Sequence, residues 1–414
     1  MKQPLLRAGA CILLCAASAQ AQASDPGVQL NGSWRAALWS GTRMLDQDGP
    51  VPTGAVWLHA VAPVSGENSI VADAFAQADG EGGRTTKLRE LFWKARFGQL
   101  DLRVGRQLIV WGRADALNPT DSIGGRDYTR LVSDDTDQRD GADAVLATYA
   151  IGTQYRAHMV LLPRALSDVI PLGRQPMQSV SIEAPEHRLQ YALKLDHDGG
   201  SVDWSLSYFN GIDRMPDLSL VGVSAAGVAT HLSNHRVQVL GGDFSTTIGG
   251  QVVRGEMAWS QRARDDSPNG FFRKRSQLLL LLGGDRNVGE AANVNLQLFV
   301  QRVPDYRAPS ELGDPLRTAV ATLQGAINNQ SVRQQYGVTY RLAQSWSNES
   351  WQGELSGMVS LTTHATYARA QLRHAIDDRW RLNMGVERYR GEADTLFGQL
   401  RRNSTAYVEL RNVF

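Results

Sequence analysis

Through much of the chain, apolar and polar residues alternate one for one over stretches of about ten residues. Clusters of Gly, Asp, Asn, Pro and Ser separate these stretches. In 187–196, Leu189, Tyr191, Leu193 and Leu195 fall on one side, and Arg188, Gln190, Lys194 and Asp196 on the other. The same holds for Val294, Leu296, Leu298 and Val300 against Asn293, Asn295, Gln297 and Gln301. It holds again for Trp380, Leu382, Met384 and Val386 against Arg379, Arg381, Asn383 and Glu387. Near the end, Ala406, Val408, Leu410 and Phe414 alternate with Thr405, Tyr407, Glu409 and Arg411. A repeat of two belongs to strands with one apolar and one polar face. After the first residues, the longest unbroken apolar run is Leu278–Leu282, far short of a membrane helix.

Eighteen such segments are expected: 28–39, 54–63, 68–77, 86–97, 100–111, 139–150, 153–163, 187–197, 201–210, 235–246, 251–262, 272–282, 292–303, 331–342, 350–361, 364–375, 379–390 and 402–414. The connections alternate in length. Gly98-Gln99, Ile151-Gly152, 198–200, Gly249-Gly250 and Asp377-Asp378 are tight, whereas 40–53, 112–138, 164–186, 211–234 and 304–330 are long. A β-sandwich also alternates, but this loop asymmetry is that of a closed antiparallel transmembrane β-barrel with short periplasmic turns and long external loops. Both termini then lie in the periplasm. The connection at 362–363 breaks the rule, so sixteen strands are also possible. Closure is required because hydrocarbon offers no partner to the backbone groups of an open sheet edge. A barrel of about eighteen strands encloses an aqueous lumen unless loops fill it.

The ends of the chain agree with this picture. Lys2 and Arg7, the apolar stretch Ala8–Ala19 and the small-x-small sequence Ala19-Gln20-Ala21 read as a secretory signal peptide over 1–21, with Ala21-Gln22-Ala23 as an alternative cut after 23. Residues 22–414 then form a single barrel domain. Both cysteines, Cys11 and Cys15, lie inside the signal, so no disulfide or thiolate site is expected in the remainder. An alternating last strand ending in Phe414 resembles the signal read by the outer-membrane barrel assembly machinery, which becomes one expected partner, the lipid bilayer being another. Hydrophobic residues make up 42% of the chain and mean hydropathy is −0.30. Net charge is only +1, which gives no global field for nucleic acid. The cations are lopsided, with five lysines and 38 arginines. A GC-rich genome accounts for such a bias. So does a pore wall that handles carboxylate or phosphate, for which planar guanidinium is suited.

The most distinctive stretch is 102–130, LRVGRQLIVWGRADALNPTDSIGGRDYTR. Arg103 shares the lumen face with Asp101, Gly105 and Gln107. Arg106 falls on the apolar face, so either it sits at a rim or a bulge at Gly105 turns it inward, and the bulge is the preferred expectation. Trp111 reads as an interfacial aromatic. The long loop that follows carries Arg113, Asp115, Asn118, Asp121, Arg126, Asp127 and Arg130, then Asp134, Asp135 and Asp137. Fixed charges of both signs after a strand suggest a loop folded into the lumen as a constriction. A solvated external loop tied by ordinary ion pairs is the competing reading. Arg188, Arg254, Arg262, Arg369, Arg373, Arg379, Arg381 and Arg411 extend the polar faces, together with Glu90, Glu256, Glu387 and Glu409, so the lumen is mixed in sign.

The string RVGRQLIVWGRADALNPTD resembles a segment of a family of proteobacterial outer-membrane barrels of unassigned function, similar in style to alginate-export porins. The resemblance covers about 85–150. It implies an outer-membrane channel for an anionic polysaccharide or another polar or amphipathic compound. By that analogy Arg103, Arg106, Arg113 and Arg126 are wall candidates, whereas Asp115, Asn118 and Asp121 shape the loop. No nucleotide, hydrolase or zinc motif is present, so no enzyme and no cofactor are expected. His231 and His235 lie in a loop, where zinc is improbable. Asp115, Asn118 and Asp121 with Asp134 and Asp135 follow no known Ca²⁺ loop. The leading expectation is a porin-like channel for a small-molecule or polysaccharide anion. The alternative is a closed barrel serving as scaffold or docking component of an envelope export assembly.

Overall fold

A computed structural model describes residues 27–414, apart from 47–48, 115–116, 174–177 and 226. The expected signal peptide lies outside the described residues. One sheet holds eighteen strands. In chain order they are β1 (Gln29–Trp39), β2 (Val51–Ser65), β3 (Asn68–Asp79), β4 (Arg84–Phe97), β5 (Leu100–Gln107), β6 (Ala142–Ile151), β7 (Tyr155–Leu162), β8 (Gln190–His197) and β9 (Val202–Ile212). The second half comprises β10 (Arg236–Ile248), β11 (Gln251–Gln261), β12 (Gln277–Val288), β13 (Ala292–Arg302), β14 (Gln334–Trp346), β15 (Trp351–Ser360), β16 (Thr366–Ala375), β17 (Trp380–Arg390) and β18 (Thr405–Val413). Each pairs antiparallel with the next, and β18 pairs with β1, Ser33–Trp39 lying against Tyr407–Val413. Two further bonds extend this seam: Gly32 N–H donates to the Phe414 carbonyl at 2.8 Å, and Phe414 N–H to the Gly32 carbonyl at 3.0 Å. The sheet is therefore a closed barrel.

The alternation sorts side chains as expected. On β13, Leu296 and Leu298 are 53% and 61% exposed on the outer face, whereas Asn295 and Gln297 between them are 1% and 3% exposed on the inner face. Bare apolar side chains outside and polar ones inside are the reverse of a soluble sandwich. At the short-turn end the outer face carries aromatic groups. Trp34 meets Trp380 edge-on at 4.7 Å, Trp346 stacks near Trp351 at 6.3 Å, and Tyr155 lies beside His197 and Trp204. Such a belt suits a membrane–water interface.

Most strand ends lie within about three residues of expectation, and the larger departures fall on β5, β12 and β14, the last running on to Trp346 instead of 342. β5 ends at Gln107 instead of 111, because Leu108–Trp111 turn into the lumen; Trp111 is buried there against the inner wall and is not an interfacial aromatic. β12 runs Gln277–Val288, several residues later than expected. Gly283-Gly284, just past the expected end, lies mid-strand, where a Cβ at either position would meet the Leu296 or the Val252 carbonyl at 2.1 or 2.3 Å. Phe271 and Phe272, expected at the start of that strand, are instead buried in a cluster between loops. The connection 304–330 contains helix α1 (Pro315–Ile327), whose start is fixed by Asp314, which accepts from Arg317 N–H at 2.7 Å. The short connection 361–365 sits at the long-loop end and leaves the count at eighteen.

Leu298 lies midway along β13 and Gln344 near the short-turn rim of β14. In lipid vesicles, Leu298→Arg is expected to lower the free energy of unfolding by about 2–4 kcal/mol, and Gln344→Arg by about 1 kcal/mol or less. Urea titration checks this, and equal costs would show that the two positions do not differ in membrane depth.

Candidate functional site in the lumen

The loop from 108 to 141 folds into the barrel. Its first part is anchored by apolar burial: Ile109, Trp111 and Ile123 pack on Ala144, Val160, Leu162, Phe209, Val237 and Val239 of the inner wall. That wall is apolar because the loop, and not water, covers it. Glu256 of β11 then serves as a single acceptor for the turn. Its carboxylate takes bonds from the N–H groups of Arg113, Ala114 and Thr120 at 3.1, 3.1 and 3.0 Å, and from the Thr120 hydroxyl at 2.9 Å. Gly112 has φ +100, and a Cβ there would meet Glu256 Oε1 at 2.8 Å, so this close approach needs glycine. Arg113 reaches past the turn to Asp243 at 2.6 Å, with Asp198 at 3.5 Å and Asp203 at 3.9 Å.

The far end of the loop is tied to the opposite wall. The Ser133 carbonyl accepts from Arg369 and Gln371 of β16, and its hydroxyl donates to Glu409 of β18 at 2.8 Å. Asp137 pairs with Arg35 at 2.5 Å and Asp135 with Arg369 at 2.7 Å. Arg89 donates to the Thr136 and Arg139 carbonyls at 3.2 and 3.1 Å. Between the anchors, Gly125–Arg126 pairs with Arg139–Asp140 as a two-residue ladder. Buried Asp121 sits beneath it, with Arg139, Arg126 and Arg214 at 2.8, 3.7 and 3.8 Å. Burial alone would raise the Asp140 carboxyl, but Arg130 and Lys87 outweigh it and hold Asp140 below the usual carboxylate range.

Above the loop, toward the long-loop end, lies a cavity of about 1500 Å³ lined by eight arginines and five carboxylates. A smaller one of about 340 Å³ opens toward the short turns, and Arg341 and Glu354, 3.7 Å apart, line both. The unfilled space therefore runs along β13–β16, opposite the apolar anchor. Arg43 enters the upper cavity from the first long loop and donates to Glu387 at 2.9 Å. Burial alone would lower its pKa, but Glu387 outweighs this and holds it above the ordinary value. Arg401 and Arg402, in the last long loop, line the cavity with no carboxylate partner among the described residues.

The candidate residues fall in different places. Arg103 faces the lumen, 5.7 Å above the Phe92 ring. Asn118 and Arg126 line the upper cavity. Arg113 and Asp121 brace the loop, as do Asp127 and Arg130, which lie 3.5 Å apart, Arg130 also reaching Asp140 at 2.8 Å. Asp115 lies outside the described residues. Arg106 is on the outer face at the top of β5, paired with Asp143 at 2.9 Å, and the register through Gly105 is uninterrupted, so the expected inward bulge there is corrected. The bulge lies on β4 instead, where Arg89 is the extra residue against β3. Arg379 is in the exposed turn before β17, away from the loop, and Arg381 lies on the inner face at the short-turn end.

Sequence reasoning missed Arg43, Arg89, Arg341, Glu354, Arg401 and Arg402. It also missed Arg35, which alternation with Trp34 and Ala36 would have placed inward. Through the register, Arg35, Arg411 and Arg381 stand directly opposite one another on β1, β18 and β17.

A closed eighteen-strand antiparallel barrel with a loop folded into its lumen defines a porin-like barrel. Similar solved structures share this fold. They include the outer membrane protein opdK from Pseudomonas aeruginosa (TM-score 0.57, 7% identity, 94% of this chain and 98% of that chain covered) and a BenF-like porin from Pseudomonas fluorescens Pf-5 (0.56, 9%, 94% and 98%). Pseudomonas aeruginosa OccK2 (OpdF), solved in complex with glucuronate, is similar to the same degree (0.56, 9%, 94% and 95%). No curated protein matches the chain. The chain belongs to the family described as protein of unknown function, DUF1302, whose model matches residues 64–411, well beyond the 85–150 segment that carried the sequence resemblance.

Glu256→Ala removes the acceptor shared by four donors. The expected outcome is a loop released at its near end, with trypsin cleaving the folded barrel after Arg113 at least about tenfold faster, since local opening governs such cleavage. Unchanged resistance would show that the apolar anchor alone holds the turn.

Proposed function

We propose that this barrel is a passive outer-membrane channel for polar, anionic solutes, with its short turns in the periplasm, and not an enzyme. The observation that carries the reading is the arginine row Arg35–Arg411–Arg381. Like charges directly opposite across strands destabilise a sheet. Arg35 and Arg411 are offset by Asp137 and Glu409, at 2.5 and 3.1 Å, whereas Arg381 has no carboxylate partner among the described residues. Arg373, two strands from Arg411, adds a further guanidinium beside the lower cavity. A row kept against its own repulsion is explained by a negative solute that meets it in passing. The cation excess around the upper cavity supports the same reading. The neighbour solved with glucuronate makes a carboxylate-bearing solute a reasonable class, and an anionic polysaccharide, the solute that resemblance to alginate-export porins implies, belongs to it.

A second reading rests on the covered mouth. Phe271, Phe272, Leu218, Leu232 and α1 form a packed cluster of loops at the long-loop end. A barrel capped there serves as a scaffold or docking component of an envelope export assembly.

Planar bilayers with a KCl gradient separate the two. The channel is expected to give a reversal potential of anion-selective sign, and Arg373→Glu with Arg381→Glu to move it toward cation selectivity. Unchanged selectivity would take the row out of the path, and absence of current in every condition would favour the scaffold.

A further inference from the structure

The upper cavity has two unlike halves. One is the guanidinium side. Arg126 and Arg139, adjacent in their two-residue ladder, share Asp121 with Arg214, and Arg214 also leans on Asp168 at 3.5 Å. Three guanidinium groups thus face two buried carboxylates. Arg126 and Arg139 both line the cavity. The other half is apolar and begins on the same segment. Val169 N–H donates to the Arg126 carbonyl at 2.8 Å and Tyr128 N–H to the Val169 carbonyl at 2.9 Å, so the strap 168–172 runs alongside the arginine ladder. Ile170 and Leu172 of that strap, with Leu323 and Ile327 of α1, pack on the loop cluster yet remain partly exposed to the cavity. Met215 and Phe397 continue this lining.

A conduit for purely hydrophilic solutes has no use for such a shelf. Apolar side chains facing water cost free energy in proportion to their area. Binding cavities for organic molecules have this composition instead, mostly apolar walls with a few convergent polar groups. Guanidinium beside an apolar surface matches a carboxylate joined to a hydrophobic body, because the fork grips the head while the shelf removes the body from water. A volume near 1500 Å³ accommodates a drug-sized ligand with water around it.

We infer that the cavity between the Arg126–Arg139 ladder and the shelf of Ile170, Leu172, Leu323 and Ile327 is a binding site for amphipathic carboxylates, anions carrying an aryl or alkyl body. The inference deepens the channel reading by naming the solute class, and it rests on that reading for its biological meaning.

Titration calorimetry of the full-length barrel in lipid nanodiscs, with empty nanodiscs as blanks, tests it with three probes: 4-phenylbutyrate, butyrate and 4-phenylbutanol. Binding of 4-phenylbutyrate is expected at least about tenfold tighter than either of the others, since both halves must be engaged. Arg126→Gln, which leaves Arg139 and Arg214 on Asp121, is expected to bring 4-phenylbutyrate toward the affinity of 4-phenylbutanol. Ile170→Asn on the strap and Leu323→Asn on α1 are each expected to bring it toward that of butyrate. The two elements are independent, so a folding failure in one variant leaves the other informative. Equal affinity for the three probes, or variants that bind as the parent does, would overturn the site. A barrel that binds 4-phenylbutyrate but carries no current retires the channel and keeps the site, whereas one that conducts but binds all three probes alike retires the site and keeps the channel.

Discussion

In a hydrocarbon medium every backbone N–H and C=O must find its partner within the protein, and the pairing of β1 with β18 is what allows this chain to comply. Without that seam the sheet has two open edges, each group on them costing several kcal/mol in lipid. With it, the outer face is free to be apolar and the inner face free to be polar. Glu387 and Glu409 are buried inside the ring because inward segments and neighbouring side chains cover them, Arg43 and Arg369 on Glu387 and Ser133, Asn383 and Arg411 on Glu409. The ion pairs and hydrogen bonds of the lumen follow from closure, because a ring sets opposite walls within reach of one inward segment.

That segment divides the interior into two halves of different character. Against β6–β11 it forms a dry core, with Trp111 and Ile109 set among Ala, Val, Leu and Phe. Against β16, β18 and β1 it ends in charges, Asp135 and Asp137 meeting Arg369 and Arg35. What stays open is the side of β13–β16, where Arg341 and Glu354 stand between the upper and lower spaces. The expectation of a uniformly polar wall therefore holds for only part of the circumference. Where Ile109, Trp111 and Ile123 lie, the strands are apolar on both faces, as in any strand covered on two sides, while Asp243 and Glu256 remain as polar anchors for the turn.

The strands are legible in the sequence because lipid on one side and water on the other impose a repeat of two, which β8, β13, β17 and β18 follow over most of their length, Ala192 and Phe299 being apolar exceptions on the inner face. Departures occur where the environment changes within a strand. Leu108–Trp111 looks like strand because its apolar residues continue the run, yet it is buried by leaving the wall. Arg89 escapes detection because the bulge on β4 shifts the parity of its neighbours, a tertiary event that no local pattern records. Arg43, Arg401 and Arg402 come from loops, where there is no periodicity to place them. Helix α1 leaves a local sign, Asp314-Pro315 followed by Leu316, Val320, Leu323 and Ile327 at helical spacing, that a reading tuned to strands passes over. Glu256 is assignable to the polar face, but its role as acceptor for a turn more than a hundred residues away depends on the folded loop.

Because the inward segment is fastened at both ends, to Glu256 on one wall and to Arg369, Gln371 and Glu409 on the other, it behaves as a strut and not as a flap. A brace held this way has no free end with which to sweep across the lumen. The clear width that a traveller meets is then nearly the same at every encounter. If the barrel conducts as proposed, such a strut gives it a sharp size cut-off, in contrast to the blurred one produced by a wandering obstruction.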